Sequence, residues 1–96
     1  MQRFLVSNMG VSEDIDWLKG DESLGKIFRL ISERGIINLR TIKELCGSED
    51  WWPVKSYVRV LVDRGLVAKN ENGYTLTEEG IKVRESLKAM EYFQKI

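Results

Sequence analysis

"VKSYVRVLVDRGLVAKNENGYTLTEEG", residues 54–80, carries two hydrophobic periods joined at a glycine. Val54, Tyr57, Val58 and Leu61 recur at i, i+3, i+4 and i+7, the spacing of a helix with one apolar face. That pattern stops at Asp63-Arg64-Gly65. The next twelve residues, "LVAKNENGYTLT", read as two short strands around "NENG". There Asn72-Gly73 is expected to supply the positive φ angles of a tight turn. Thr77 can cap a further helix, with Glu78 and Glu79 in the first turn, where the helix dipole favours acids. That helix meets no strong breaker after Gly80 and can run to the end of the chain.

Upstream the reading continues. Leu24, Ile27, Phe28 and Ile31 predict an amphipathic helix from Glu22 to a stop at Gly35. Gly25 within it costs about 1 kcal/mol relative to alanine, which points to a close packing contact. "IIN" is a short extended segment, and Asn38 can cap a helix with Leu39, Ile42, Leu45 and Cys46 on one side and Gly47 at its close. "SEDWWP" follows, residues 48–53. Proline disfavours helical backbone at the residue before it, so the regular helix is expected to start at Pro53 with Trp52 outside and Asp50 capping at most a looser turn. One tryptophan is expected to fold back into the gap between the two helices. Residues 1–21 are the least readable: "SEDIDWLKG" suggests a short helix with Ser12 as N-cap, Trp17 and Leu18 docked on the domain and Gly20 past its end. "RFLVSN" is open to an edge strand, an extra helical turn or an arm.

Composition narrows the function classes. An apolar fraction of 43% and a charged fraction of 31% belong to a folded chain, and 96 residues make one domain. No apolar run suffices for a membrane span, and the start lacks the flanks of a secretory signal, so a cytoplasmic protein is expected. One cysteine excludes an internal disulfide; with no histidine, a zinc site is unexpected and the commonest general base is missing. No phosphate-cradling glycine motif or nucleophile elbow occurs. No enzyme, metal or cofactor is expected. Fifteen basic residues balance fifteen acidic ones, so any positive face must be made by folding.

The order helix, short strand, helix, turn, helix, hairpin, helix resembles a winged helix-turn-helix domain from about Glu22 to Val83, some two thirds of the chain. The residues that carry it are "TIKEL" (41–45), "VKSYVRVLVDRGLV" (54–67) and "YTLTEEG" (74–80). The last motif is common in MarR- and PadR-like regulators and in small winged-helix proteins of archaea and their viruses. The turn between the second and third helices looks one residue longer than the family's usual spacing from Gly47 to Gly65. The resemblance implies a mainly α fold with a small β-hairpin (α+β): a three-helix core, a wing and a long C-terminal helix. It divides the chain into an N-terminal extension (1–21), the winged domain (22–77) and a C-terminal helix (78–96).

It also implies double-stranded DNA as partner, with helix 53–64 in the major groove and wing 66–77 on the backbone or minor groove. Lys55, Ser56 and Arg59 would face base edges with Trp51 and Trp52 at the tip; Arg59 suits guanine and Ser56 a base or a phosphate. Arg40, Thr41 and Lys43, and Lys69 and Asn70 on the wing, would contact phosphates. Plainer alternatives stand beside these. Lys55 and Arg59 suit a solvated helix face, Lys69 and Asn70 suit turn chemistry, and Cys46 suits the core. Glu49 and Asp50 would repel phosphates. Val83, Leu87, Met90 and Phe93 suggest a homodimer interface; alternatively Phe4, Trp17 and Leu18 of the same chain cover that helix. A different reading of the whole is a protein-interaction adaptor anchored by Trp51 and Trp52, without duplex affinity.

Overall fold

The computed structural model describes residues 2–95, with side-chain surroundings for residues 10–91. The elements are α1 (Gln2–Lys19), α2 (Glu22–Arg34), β1 (Ile36–Ile37), α3 (Leu39–Cys46), α4 (Trp51–Asp63), β2 (Val67–Asn70), β3 (Gly73–Leu76) and α5 (Glu78–Lys95). The protein is mainly helical with a small antiparallel sheet, as its sequence leads one to expect. The sheet, however, has three strands rather than two. β1 joins the hairpin in the order β1-β3-β2, pairing Ile36 with Thr75 and Ile37 with Tyr74.

Local chemistry accounts for most element ends. Asp21, which the sequence reading passed over, caps α2: its Oδ1 accepts from the backbone N–H groups of Ser23 at 3.0 Å and Leu24 at 3.2 Å. Asn38 caps α3 as read, accepting from the Thr41 N–H at 2.8 Å, and Gly47 closes it in the left-handed conformation. Thr77 caps α5, its hydroxyl accepting from the Gly80 N–H at 3.1 Å while donating to the Gly65 carbonyl. One side chain therefore ties the end of α4 to the start of α5.

The apolar faces of α2 and α4 meet in one core. Leu24, Ile27, Phe28 and Ile31 from α2 are buried together with Val54, Val58 and Leu61 from α4, and Ile42, Leu66 and Val67 complete the cluster. Gly25 has a packing reason within α2: a Cβ there would lie 3.2 Å from the Leu18 carbonyl oxygen, so its absence lets the end of α1 approach closely. Val11, Ile15 and Leu18 form the inner face of α1, which packs against both α2 and α5.

Four expectations need correction. First, α1 is one continuous helix from Gln2, so Ser12 lies in its interior, exposed, and caps nothing. "RFLVSN" belongs to that helix. Second, α4 begins at Trp51 rather than Pro53. Pro53 is its third residue, where the missing N–H would have had no intrahelical acceptor in any case, so the ring is accommodated. Asp50 holds the cap position without a side-chain hydrogen bond. Third, the hairpin turn uses no positive φ at Asn72. Instead Asn70 Oδ1 accepts from the N–H groups of Asn72 and Gly73, an Asx turn that replaces the expected one. Gly73 does have a positive φ, but it is also demanded by packing: a Cβ would collide with the Ile37 carbonyl where β3 crosses the end of β1. Fourth, Val83 is fully buried in the core of its own chain, so no partner molecule can reach it.

Candidate nucleic-acid interface

α4 presents one stripe to the outside. Trp52, Ser56, Arg59 and Asp63 follow at i, i+4, i+7 and i+11, opposite the buried Val54, Val58 and Leu61, and all four are exposed. Lys55 flanks the stripe. The Arg59 side chain is 82% exposed and stands 4.0 Å from Asp63, a surface ion pair that holds it only weakly. α3 packs against α4 and β2 packs behind it, so the helix-turn-helix and the wing share one scaffold.

The sequence-predicted residues separate into four groups. Lys43, Trp51 and Lys55 are brought together. The Lys43 ammonium lies 5.2 Å from the centre of the Trp51 ring and that of Lys55 6.0 Å from the same centre. Ser56, exposed on the outer stripe, also borders a cleft lined by Asp16, Trp17 and Asp21 at the α1–α2 junction. On the wing Lys69 is exposed; Asn70 commits its carbonyl oxygen to the turn and keeps its amide N–H groups for a partner. Arg40 is exposed at the start of α3, and Thr41 is half-buried with its N–H committed to Asn38.

Neither tryptophan fills the gap between the helices. Trp51 is 41% exposed and Trp52 76%, the highest value among the exposed large apolar residues. The buried residues of these two helices are instead the smaller Ile42, Val54, Val58 and Leu61. Cys46 is half-buried against the core, and burial pushes its thiol above the ordinary value, partly opposed by the positive charge of Lys26. A thiol so placed stays protonated and acts as a small hydrophobe.

Charge on this face is mixed. Arg40, Lys43, Lys55, Arg59 and Lys69 share the same elements and turns with Glu44, Glu49, Asp50, Asp63 and Glu71, five of each sign. These elements and turns therefore carry no excess of positive charge, unlike an ordinary phosphate-binding segment.

One constellation escaped the sequence reading. Arg64, at the end of α4, donates from Nε to Asp14 Oδ1 at 2.5 Å and lays its guanidinium 4.3 Å from the centre of the Trp17 ring. Asp14 is buried, and this contact satisfies it. The signal was present: Asp14 falls on the row of Val11, Ile15 and Leu18, and a carboxylate on an apolar face demands a cation. Only the distant position of Arg64 was illegible.

Comparison with known proteins agrees with the geometry. Residues 50–95 match a family model described as winged helix-turn-helix. No curated protein sequence matches the chain. Among solved structures, the chain is similar to the activation domain of the phage T4 transcription factor MotA. The match has a TM-score of 0.66 and 24% sequence identity and covers 84% of this chain and 92% of that one. At that identity the likeness is one of fold, and together with the match over residues 50–95 it gives the chain a winged-helix fold. No helix among the described residues is long and apolar enough to cross a membrane.

Proposed function

We propose that this winged helix is a regulator that binds double-stranded DNA, laying the outer stripe of α4 in the major groove with the β2–β3 wing beside it on the backbone or in the minor groove. The observation that carries the reading is the accessibility of Arg59 and Lys55: both are exposed on the helix that the fold offers to a groove, and no described part of the chain covers them. Arg59 suits a guanine edge, Lys55 and Lys43 suit phosphates, and Lys69 and Asn70 suit the backbone beside the wing. Arg40 and Thr41 stand at the start of α3, where backbone contacts are made. No catalysis, cofactor or metal enters this reading, which places the protein in the compartment that holds the DNA. A gel-shift titration on mixed duplex fragments at rising salt tests it. Affinity should fall steeply with salt, by about one logarithmic unit of slope for each phosphate neutralised. A wild-type protein with no duplex affinity at low salt defeats it.

A homodimer forms part of the proposal, since two copies would set their recognition helices about 34 Å apart, one turn of duplex. Val83 is excluded from any such contact. Half-buried Leu87 and exposed Met90 remain on α5, whereas Phe93 and Phe4 lie outside the residues whose side chains are described. α1 already covers part of α5, so a second copy would dock toward the end of that helix. Light scattering that shows a strict monomer at micromolar concentration removes this part.

A second reading is favoured by a specific observation. Trp52 is almost wholly exposed on a face with no net positive charge, and the similar structure is an activation domain. A bare indole of this kind is a hot-spot candidate for a protein partner. In that case the wild type shows no duplex affinity, and Trp52→Ala abolishes partner binding.

A further inference from the structure

We propose that Trp51 is a positioning residue that makes Lys43 of α3 and Lys55 of α4 act together on the phosphodiester backbone, as a single contact spanning both helices of the helix-turn-helix. The inference rests on the DNA-binding reading and deepens it. Two ammonium groups from different helices lie 5.2 and 6.0 Å from the centre of one indole. A tryptophan face attracts a cation through its quadrupole within about 6 Å of the ring centre.

Three features separate this cluster from chance surface neighbours. Neither lysine pairs with a carboxylate among the described residues, although Glu44, Glu49 and Asp50 are close in sequence; both ammonium groups lie on the ring instead. An indole holds a cation without neutralising it, so the charge remains available to an anion. A carboxylate partner would cancel it. Next, Trp51 is 41% exposed and lies outside the buried core cluster, so its ring is open to a partner at this face. Last, a free lysine loses rotamer entropy when it is immobilised on a ligand. Part of that loss is already met when the stem lies on a ring, which is the general benefit of preorganisation.

The chemistry recognised is a phosphodiester oxygen. Lysine offers a compact point charge with three donors and carries no base preference, so the contact would fix α3 and α4 on the backbone while Arg59 reads a base. Trp51 contributes no charge to this. That property makes it separable by experiment.

The decisive measurement is the salt dependence of binding to one duplex for wild type, Trp51→Ala, Trp51→Phe and the double variant Lys43→Met/Lys55→Met. The double variant should lower the logarithmic slope by about 1.8, from roughly 0.9 for each phosphate no longer neutralised. Trp51→Ala should lower the slope by at least half as much although no charge is removed, and Trp51→Phe should restore most of it. A packing role, or a ring that itself stacks on a sugar, would weaken binding at an unchanged slope; that result overturns the proposal. Ring-current shifts of the Lys43 and Lys55 ε-methylene protons give a second readout without DNA. They should vanish in Trp51→Ala while the remaining spectrum reports an intact fold, and their absence from the wild type overturns the proposal as well. A wild type that binds no duplex, yet shows those shifts, defeats the DNA reading and this contact together. A wild type that binds duplex while the slope stays unchanged in Trp51→Ala defeats this contact alone.

Discussion

The two ends of α4 use the same chemistry to opposite purposes. At its start, half-buried Lys43 of α3 and exposed Lys55 of α4 lie over Trp51, more than 5 Å from the ring centre. At its end, Arg64 lies 4.3 Å over Trp17 and is clamped by Asp14, whose side chain is 12% exposed. Burial makes the difference. In the drier setting each attraction is stronger, and removing one partner strands a charge. At the wet end the attractions are weaker and neutralise nothing, and the charges remain usable. One end fastens α1 to the junction between α4 and the wing; the other keeps cations available.

This contrast can be broken most directly at the dry end. Arg64→Ala would leave Asp14 nearly buried without a cation and strip Trp17 of its cover. A loss of about 2–3 kcal/mol is expected, less than a fully buried pair would show because Arg64 is one-third exposed. The denaturant midpoint checks it. Duplex affinity of the protein still folded should be unchanged, whereas a loss there would mean that Arg64 also belongs to the interface.

The wet end should behave in the reverse manner. Lys55→Ala with Arg59→Ala should lower duplex affinity by about 10- to 100-fold, each contact being worth roughly 1–3 kcal/mol at most. Stability should change by less than about 0.5 kcal/mol, because the Arg59–Asp63 pair is exposed. Unchanged affinity removes these residues from the reading face.

Smaller effects sharpen the comparison. Asp63→Asn removes the one acid on the outer stripe of α4 and frees Arg59, so duplex affinity should rise by a few-fold in the same assay. A fall would show that Asp63 orients Arg59 for its base. Trp52→Ala should leave the thermal midpoint within about 2 °C, since the ring buries little in its own chain. A larger drop would give Trp52 a structural role that its exposure does not suggest.

Legibility followed the range of the interaction. The apolar rows of α2 and α4, the Asn38 and Thr77 caps and the hairpin were readable because each involves residues within a few positions of one another. The start of α4 was misplaced because a preference at the residue before proline was allowed to outweigh the freedom of a first helical turn. The turn at Asn72 was misread because Asn70 offered its side chain as a substitute acceptor. Of the candidate site, Lys55, Ser56 and Arg59 are all exposed as expected, and Ser56 also borders a cleft shared with Asp16 and Asp21.

Periodicity, caps and turn residues in the sequence determined which segments become helices and strands, since those choices are settled by neighbours along the chain. The tertiary structure alone decided that β1 joins the hairpin, that Val83 belongs to this chain's own core, that Arg64 finds Asp14 fifty residues away, and that two lysines share one indole. Those outcomes depend on which faces meet in space. A one-dimensional pattern shows that a face is apolar or charged; only packing chooses what it faces.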